Sequence, residues 1–346
     1  MKYNVTPTDR EIHKAATERT TALAMPYRAM GEINTLSEKL CAIQGTLKPQ
    51  VDKRGLFIMA GDHGICAEGV SMHPQEITMI LIQTMLLGIS SVCVYAKHAN
   101  TKVFLADMGV LGDVAVPANA TTTFYDRKIA RGTKNFAHEP AMTREEAERS
   151  IEIGFQLATA AIKEHNLNLI AVGEMGIGNT TPSSAIAAVY TALSVEELVG
   201  RGAGLDDDGV NRKINAVKAG LALHNPQAND PIGVLASVGG FDIGGMAGVI
   251  LAAATAKIPV VLDGFISTAA AVIANTIAPN AHEYMIAGHE SYEVGHKHLL
   301  KMLGLSPLLQ LGMRLGEGTG AVCAIPLVEF AAATIQEIVT LEDAAV

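Results

Sequence analysis

Basic residues are scarce in this chain. Its 346 residues include 26 Lys and Arg against 35 Asp and Glu, so the formal net charge at pH 7 is −9. Proteins that hold a nucleic-acid backbone use clustered Lys and Arg to neutralise its phosphates. The charge balance therefore predicts no nucleic-acid partner and favours a small-molecule ligand.

Cysteine is also sparse. The four residues of this type lie far apart, without the close pairs that zinc sites use and without the density of a disulfide scaffold. We expect buried, reduced thiols at all four positions, which are Cys41, Cys66, Cys93 and Cys323.

Long apolar runs are absent as well. No segment offers about twenty uninterrupted apolar residues. The first residues, MKYNVTPTDREIHK, carry neither the basic nor the apolar region of a secretory signal. These absences predict a protein that does not cross a membrane and that works in the cytoplasm.

The chain does contain a series of short apolar segments that stop abruptly at Gly or at an acidic residue, which is typical of buried parallel strands. Longer Ala- and Leu-rich segments between them, such as 145–165 and 245–257, suit crossover helices. This alternation predicts an α/β fold with a doubly wound, mostly parallel sheet. The six predicted strand segments are 55–63, 102–109, 167–176, 233–242, 258–264 and 283–290.

Three further segments have a helical pattern: 8–23, 31–43 and 325–341, the last with Pro326 near its start. We expect them to pack together as a small helical lobe. The predicted division is therefore a lobe of residues 1–48 with 325–346, beside a Rossmann-like catalytic domain of residues 49–324.

Residues 110–140 follow neither pattern. They contain β-branched residues and turn formers, as in VAVPANATTTFYD, but no helical period. The segment therefore predicts a hairpin-like excursion from the sheet.

A glycine-rich segment, VGEMGIGNTTPSSAIAAV (172–189), leads from a predicted strand end into a helix, with Pro182 in the first turn. Exposed amides at such a helix start suit an anion. The spacing is not G-x-G-x-x-G, and that fingerprint follows no predicted strand of this chain. Its absence argues against a nucleotide-dependent oxidoreductase built on a similar sheet.

A second glycine-rich segment, GRGAGLDDDGVNRK (200–213), ends at Lys213. Its glycines allow close backbone approach and its lysine supplies a cation, so together they could cradle a phosphate. A flexible surface loop with a solvated acidic run is the alternative interpretation.

The segment MRLGEGTGA (313–321) places Glu317 between two glycines and close to Leu315. A carboxylate flanked by glycines can approach a ligand closely. Partial desolvation beside apolar residues would raise its pKa and make it a better base near neutral pH. An ordinary surface-turn glutamate is the alternative.

Together with DHG (62–64), VGGFD (238–242) and LDGF (262–265), these three segments resemble the nicotinate-nucleotide:dimethylbenzimidazole phosphoribosyltransferases of cobamide assembly. The resemblance covers most of residues 55–330. It implies transfer of ribose 5-phosphate from nicotinate mononucleotide to an aromatic base, which gives an α-ribotide with inversion. It implies no metal and no other cofactor, because amides and a lysine can hold the donor's monophosphate.

The resemblance also implies roles for particular residues. Glu317 corresponds to the general base, Glu174 to a second active-site carboxylate and Lys213 to the lysine on the phosphate side. The implied phosphate and ribose contacts are Gly176, Gly202, Ala203, Asp263, Gly264, Ser291 and Arg314.

Two departures concern the acceptor. Residues 25–36, MPYRAMGEINTL, replace a K-P-P-G-S-L-G-like stretch of the family, and the loop 69–83 brings its own side chains to the implied acceptor pocket. That pocket comprises His73, Met79, Leu81 and Leu315. These changes are similar to the family's phenol-activating branch, in which two homologous chains form a heterodimer and the acceptor is phenol or cresol.

The family implies a dimer, either a homodimer or a heterodimer with a homologous chain. A non-catalytic partner subunit of such a heterodimer is the alternative function. The presence of Glu317, Glu174 and Lys213 argues against it, because a silent subunit has no chemical use for a base flanked by glycines.

Overall fold

A computed structural model describes residues 3–202 and 204–344 of the chain. Six strands form one sheet in which all neighbours are parallel, in the order β3-β2-β1-β4-β5-β6. This is the doubly wound order, and it confirms the predicted α/β class. The strands are β1 (Arg54–Gly61), β2 (Thr101–Gly109), β3 (Thr123–Asp126), β4 (Leu169–Met175), β5 (Val260–Leu262) and β6 (Met285–Ala287).

Helices cover both faces of the sheet. Successive side chains of a strand point to opposite faces, so Phe57 and Met59 of β1 belong to one core cluster, whereas Leu56 and Ile58 belong to the other. The helices are α1 (Arg10–Ala22), α2 (Glu32–Gln44), α3 (Glu76–Leu86), α4 (Ser91–His98), α5 (Arg144–His165), α6 (Thr180–Thr191), α7 (Val195–Leu198), α8 (Asp207–His224), α9 (Pro231–Val238), α10 (Phe241–Thr255), α11 (Phe265–Ile277), α12 (His296–Leu303), α13 (Thr319–Glu337) and α14 (Leu341–Ala344).

Glycine brings α5 and α10 into close contact on one face of the sheet. A Cβ atom on Gly154 would lie 2.0 Å from the carbonyl oxygen of Gly245, and one on Gly248 would lie 2.0 Å from that of Ile151. The missing side chains therefore let the two backbones touch. A capping box between Thr143 and Glu146 starts α5 before this contact.

The predicted terminal helices are present, and they pack together. Ala16 of α1, Cys41 of α2 and Ile335 of α13 share a small buried cluster. However, α13 begins at Thr319, so Pro326 lies inside the helix rather than near its start. Helix α13 also contacts β4 and β5. The division into a lobe and a catalytic domain stays a prediction.

Two local predictions were wrong. Residues 233–242, predicted as a strand, form most of α9 and the start of α10, because Asp230 caps α9 and Pro231 occupies its first turn. The excursion 110–140 is not hairpin-like, because β3 within it pairs with β2 in parallel. Residues 110–122 run back along the sheet, where the Thr121 amide bonds the Leu86 carbonyl, so β3 starts from the same end as β2.

By length and composition alone, two apolar segments could cross a membrane: Glu76–His98 and Thr319–Glu337. The first contains two helices, α3 and α4, with a turn between them. The second is α13, which packs against the sheet. Core helices of soluble proteins have the same composition, and the second segment is mostly buried, at 61% against 39% for the first. One or two such segments are weak support for a membrane protein.

Candidate active site

A cavity of about 740 Å³ lies beyond the carboxyl ends of β4, β5 and β6. It begins beside the switch point between β1 and β4, where chain order reverses in the sheet and where open α/β sheets bind their ligands. Predicted residues that line it are Glu174, Glu317, Gly176, Gly202, Asp263, Gly264, Ser291 and Arg314. The sheet therefore brings together side chains that lie far apart along the chain, such as Glu174 and Glu317, which are separated by 143 positions.

Glu317 lies on a strained turn just before α13. Its φ is 65°, and its neighbours Gly316 and Gly318 have φ of 84° and 93°, so three consecutive residues adopt left-handed conformations. The side chain is 4% exposed, and its Oε2 atom has no hydrogen-bond partner among the described residues. Burial, and next the negative charge of Asp263, raises the pKa of Glu317 to about 7.

Glu174 lies near the end of β4 and contacts the same turn. Its Oε2 accepts a hydrogen bond from the Asn179 side-chain amide, and its Oε1 accepts one from the Glu317 backbone amide at 3.4 Å. Burial raises the pKa of Glu174 to about 8, with further contributions from the charges of Asp242 and Asp263. The cavity thus contains two carboxyl groups that can exchange protons near neutral pH.

The Gly316→Ala variant tests how tightly the turn fits. A Cβ atom there would lie 2.5 Å from Glu174 Oε1. We expect turnover to fall at least ~10-fold, because the turn must move to relieve this contact. Gly304→Ala is the matched control: Gly304 has a positive φ of 67°, and no described atom lies within 4 Å of its Cβ position. Equal turnover losses in the two variants would contradict the assignment of Gly316 to this contact.

Asp263 lies directly after β5, and its carboxylate is occupied by protein groups. The backbone amides of Gly318, Gly320 and Ala321 donate to it at 3.1, 2.6 and 3.1 Å. His289 Nε2 lies 3.5 Å from Oδ1. Burial alone would raise the pKa of Asp263, but His289 and the backbone amides lower it below its ordinary value. The group is therefore an anion at the start of α13.

Lys213 lies behind one wall of the cavity rather than in its lining. Its Nζ donates to Thr180 Oγ1 at 2.8 Å and to the Gly200 carbonyl at 3.2 Å. Burial lowers its pKa to about 8, an effect that the nearby Glu293 partly opposes. Thr180 and Gly202 line the cavity in front of the amine. The predicted contact Ala203 lies outside the described residues.

The predicted acceptor residues divide into two groups. His73, Leu81 and Leu315 line the cavity. Met79 is not among the lining residues, and its terminal methyl instead lies 2.8 Å from the Cβ position of Gly112. Tyr95, on α4, joins the lining, although the sequence did not single it out.

Sequence reasoning missed a buried polar chain beneath the cavity floor. His63 Nε2 lies 3.2 Å from Asp242 Oδ2, and the Asn179 amide reaches the same oxygen at 3.5 Å while it bonds Glu174. The motifs DHG and VGGFD contain His63 and Asp242 and could have indicated this polar chain. They were used only as part of the family resemblance. Among residues 3–202 and 204–344, no three His, Cys, Asp or Glu side chains are placed to hold a metal ion.

Comparison with known proteins decides the family. A family model described as phosphoribosyltransferase matches residues 5–346. The chain belongs to this phosphoribosyltransferase family. A nicotinate-nucleotide–dimethylbenzimidazole phosphoribosyltransferase of Desulforamulus reducens is 46% identical over 339 residues, which cover 98% of this chain and 95% of the relative. One from Geobacter sp. strain M21 is 44% identical over 342 residues, covering 99% and 97%.

A solved structure of the family has the same fold. The crystal structure of CobT from Thermus thermophilus superposes with a TM-score of 0.92 at 41% identity, covering 97% of this chain and 99% of that one. This chain therefore shares the fold of that structure over nearly its whole length.

Proposed function

We propose that this chain transfers ribose 5-phosphate from nicotinate mononucleotide to an aromatic lower-ligand base, which yields an α-ribotide for cobamide biosynthesis. The single observation that carries the proposal is the arrangement of one cavity. It has two buried carboxyl groups with raised pKa values, Glu317 and Glu174, and a buried lysine, Lys213, behind a glycine-lined wall. The similar relatives are named for this reaction with dimethylbenzimidazole.

The phosphate of the donor fits the end of the cavity beside Lys213. Gly176 and Gly202 let a ligand approach the backbone there, and the start of α6 supplies amides for an anion. Arg314 lies at the cavity wall, 5.7 Å from the ring centre of Tyr292, where its charge can face the phosphate or the nicotinate carboxylate. Gly264 and Ser291 complete this wall on the ribose side.

The chemistry assigns a task to each carboxyl group. The pyridinium nitrogen of the donor leaves as a neutral amine, so the leaving group needs little acid help. Glu317 removes the proton of the incoming base, while Glu174 stabilises the positive charge that develops on the ribose. A cationic donor beside Glu174 favours its ionised form and so lowers its pKa from about 8. Attack from the opposite face gives inversion.

The acceptor is dimethylbenzimidazole or a phenol such as p-cresol. The apolar lining from Leu81 and Leu315 suits either ring, and His73 offers a polar contact. A phenolic oxygen also needs a base, so Glu317 keeps its role with both acceptors. A non-catalytic subunit of a heterodimer is the alternative; the burial and raised pKa of Glu317 speak against it.

We further propose that the chain works as a dimer, homomeric or heteromeric, in the cytoplasm. Exposed large apolar side chains on and beside α3 and α4 support the dimer. The exposed fractions of Ile80, Ile89 and Val94 are 56%, 65% and 40%. All three belong to the one apolar segment Glu76–His98, and an exposed apolar patch is typical of interaction surfaces.

The pH dependence of kcat/KM follows from the base. Because the pKa of Glu317 is about 7, we expect its titration to lower kcat/KM roughly tenfold for each pH unit below 7, as the protonated carboxyl cannot accept the acceptor's proton. The contribution of Glu317 to the acid limb should vanish in Glu317→Gln, whereas that of Glu174, whose pKa is about 8 in the free enzyme, should remain. The acceptor's own titration affects both profiles, so their difference isolates Glu317. Identical acid limbs would contradict the assignment of the base.

The proposed reaction is tested by incubating the purified chain with nicotinate mononucleotide and, separately, dimethylbenzimidazole, adenine, phenol or p-cresol. Nicotinate release and ribotide are both quantified. Release that requires one acceptor confirms the transferase and identifies its base. Failure to release nicotinate with any acceptor, or a stable one-to-one complex with a homologous chain whose turnover is insensitive to Glu317→Gln, supports the silent subunit instead.

A further inference from the structure

Asp263 is one of the phosphate and ribose contacts that the resemblance implies, but its surroundings indicate another task. Three backbone amides occupy its two carboxylate oxygens, and all three come from the segment that immediately follows Glu317. Gly318 belongs to the strained turn, while Gly320 and Ala321 lie in the first turn of α13. First-turn amides of a helix have no partner within the helix, so an anion placed there satisfies them.

The turn needs such an anchor. Glu317 is a non-glycine residue with φ of 65°, a conformation that costs free energy and persists only when its surroundings enforce it. Gly318, at the start of α13, has no side chain with which to cap the helix. The backbone of the turn also packs tightly on β4, since a Cβ atom on Gly173 would lie 2.4 Å from the Glu317 carbonyl.

We propose that Asp263 is a positioning residue that anchors the Glu317 turn through three amides and sets the electrostatic potential at the base, rather than a ligand of the donor's ribose. This inference rests on the proposed transferase function. A residue whose oxygens already bind three amides has little capacity left for a ribose hydroxyl. The nearby like charge also disfavours ionisation of Glu317.

Several other titratable groups surround the Glu317 carboxylate. Glu174 contacts the turn from β4, His289 lies beside Asp263 after β6, and the thiol of Cys93 faces Glu317 from α4. The Val92 backbone amide of α4 lowers the pKa of Glu317 and so opposes the effect of Asp263. A change at Asp263 alters both the anchor and the adjacent charge.

The key experiment compares Asp263→Asn with Asp230→Asn by amide hydrogen exchange and kinetics. Asp230 is a matched control, because it caps α9 through the Gly233 amide at 3.1 Å and is not part of the cavity lining.

For Asp263→Asn we expect amides 316–322 to exchange at least ~10-fold faster than in wild type. We expect kcat to fall ~10-fold or more, with KM for nicotinate mononucleotide within about threefold of wild type. The acid limb of kcat/KM should move down by about one pH unit.

Asp263→Glu separates anchoring from charge. It keeps the anion but displaces the oxygens by one methylene, so we expect faster exchange and a lower kcat without the downward shift of the acid limb. A rise in KM for nicotinate mononucleotide in either variant, with unchanged kcat and unchanged amide exchange, would overturn the proposal. It would show that Asp263 binds the donor's ribose instead. If neither variant folds, exchange in the wild-type chain decides: fast exchange at Gly318, Gly320 and Ala321 would also overturn it.

The exchange measurement needs no turnover, so the anchor is tested even if the chain proves inactive. Absent nicotinate release from the wild-type chain contradicts the proposed function, whereas unchanged exchange in Asp263→Asn contradicts only the inference.

Discussion

Glu317→Gln is expected to lower kcat by roughly 10²–10⁴-fold with little change in KM for the donor, because general-base catalysis contributes about that much and acts in the transition state. The substitution is nearly isosteric. Glu317 Oε2 has no hydrogen-bond partner in the part of the chain that the structure describes, so the amide disturbs no existing contact of that atom. Initial rates of nicotinate release at saturating acceptor provide the measurement.

Glu148→Gln is the matched control. It makes the same chemical change on α5, where Glu148 pairs with Arg144 at 3.7 Å on the surface. We expect wild-type kinetics from it. A Glu317→Gln variant that retains more than about a tenth of wild-type kcat would show that positioning of the two substrates, rather than proton removal, limits the reaction.

Most of the sheet could be predicted because its strands are continuous apolar runs that end at glycine or a carboxylate. All eight residues of β1 are buried, and a strand buried on both faces gives such a run. The same rule failed for 233–242. A buried helix between other helices is also apolar all round, and only Asp230 and Pro231 marked its start. Parallel pairing of β3 depends on the path of residues 110–122, which no local pattern specifies.

The site was predictable where a residue sits in an unusual local setting. Glycines on both sides of Glu317 indicated a carboxylate that can approach a ligand closely, and the structure gives all three residues positive φ. Contacts between distant segments were not predictable. The link from His63 through Asp242 and Asn179 to Glu174 joins distant segments, and so does the anchoring of residues 318–321 by Asp263. Such contacts are set by the order of strands in the sheet.

Removal of the buried amine should affect the donor's phosphate specifically. For Lys213→Met we expect KM for nicotinate mononucleotide to rise ~10–100-fold, which corresponds to the loss of one charge-assisted hydrogen bond. The pKa of Lys213 is about 8, and a phosphate dianion would raise it and stabilise the charged amine. Lys218→Met on the same helix is the control, because Lys218 is half-exposed and pairs with Glu196.

Nicotinate riboside separates binding of the phosphate from support of the cavity wall. This donor lacks the phosphate, so wild type and Lys213→Met should use it with kcat/KM values within about threefold of each other. Lys213 also bonds Thr180 and the Gly200 carbonyl, which belong to or adjoin that wall. An equally large loss with the riboside would therefore mean that Lys213 shapes the wall instead of binding phosphate, and Lys213→Arg would then fail to restore the donor's KM.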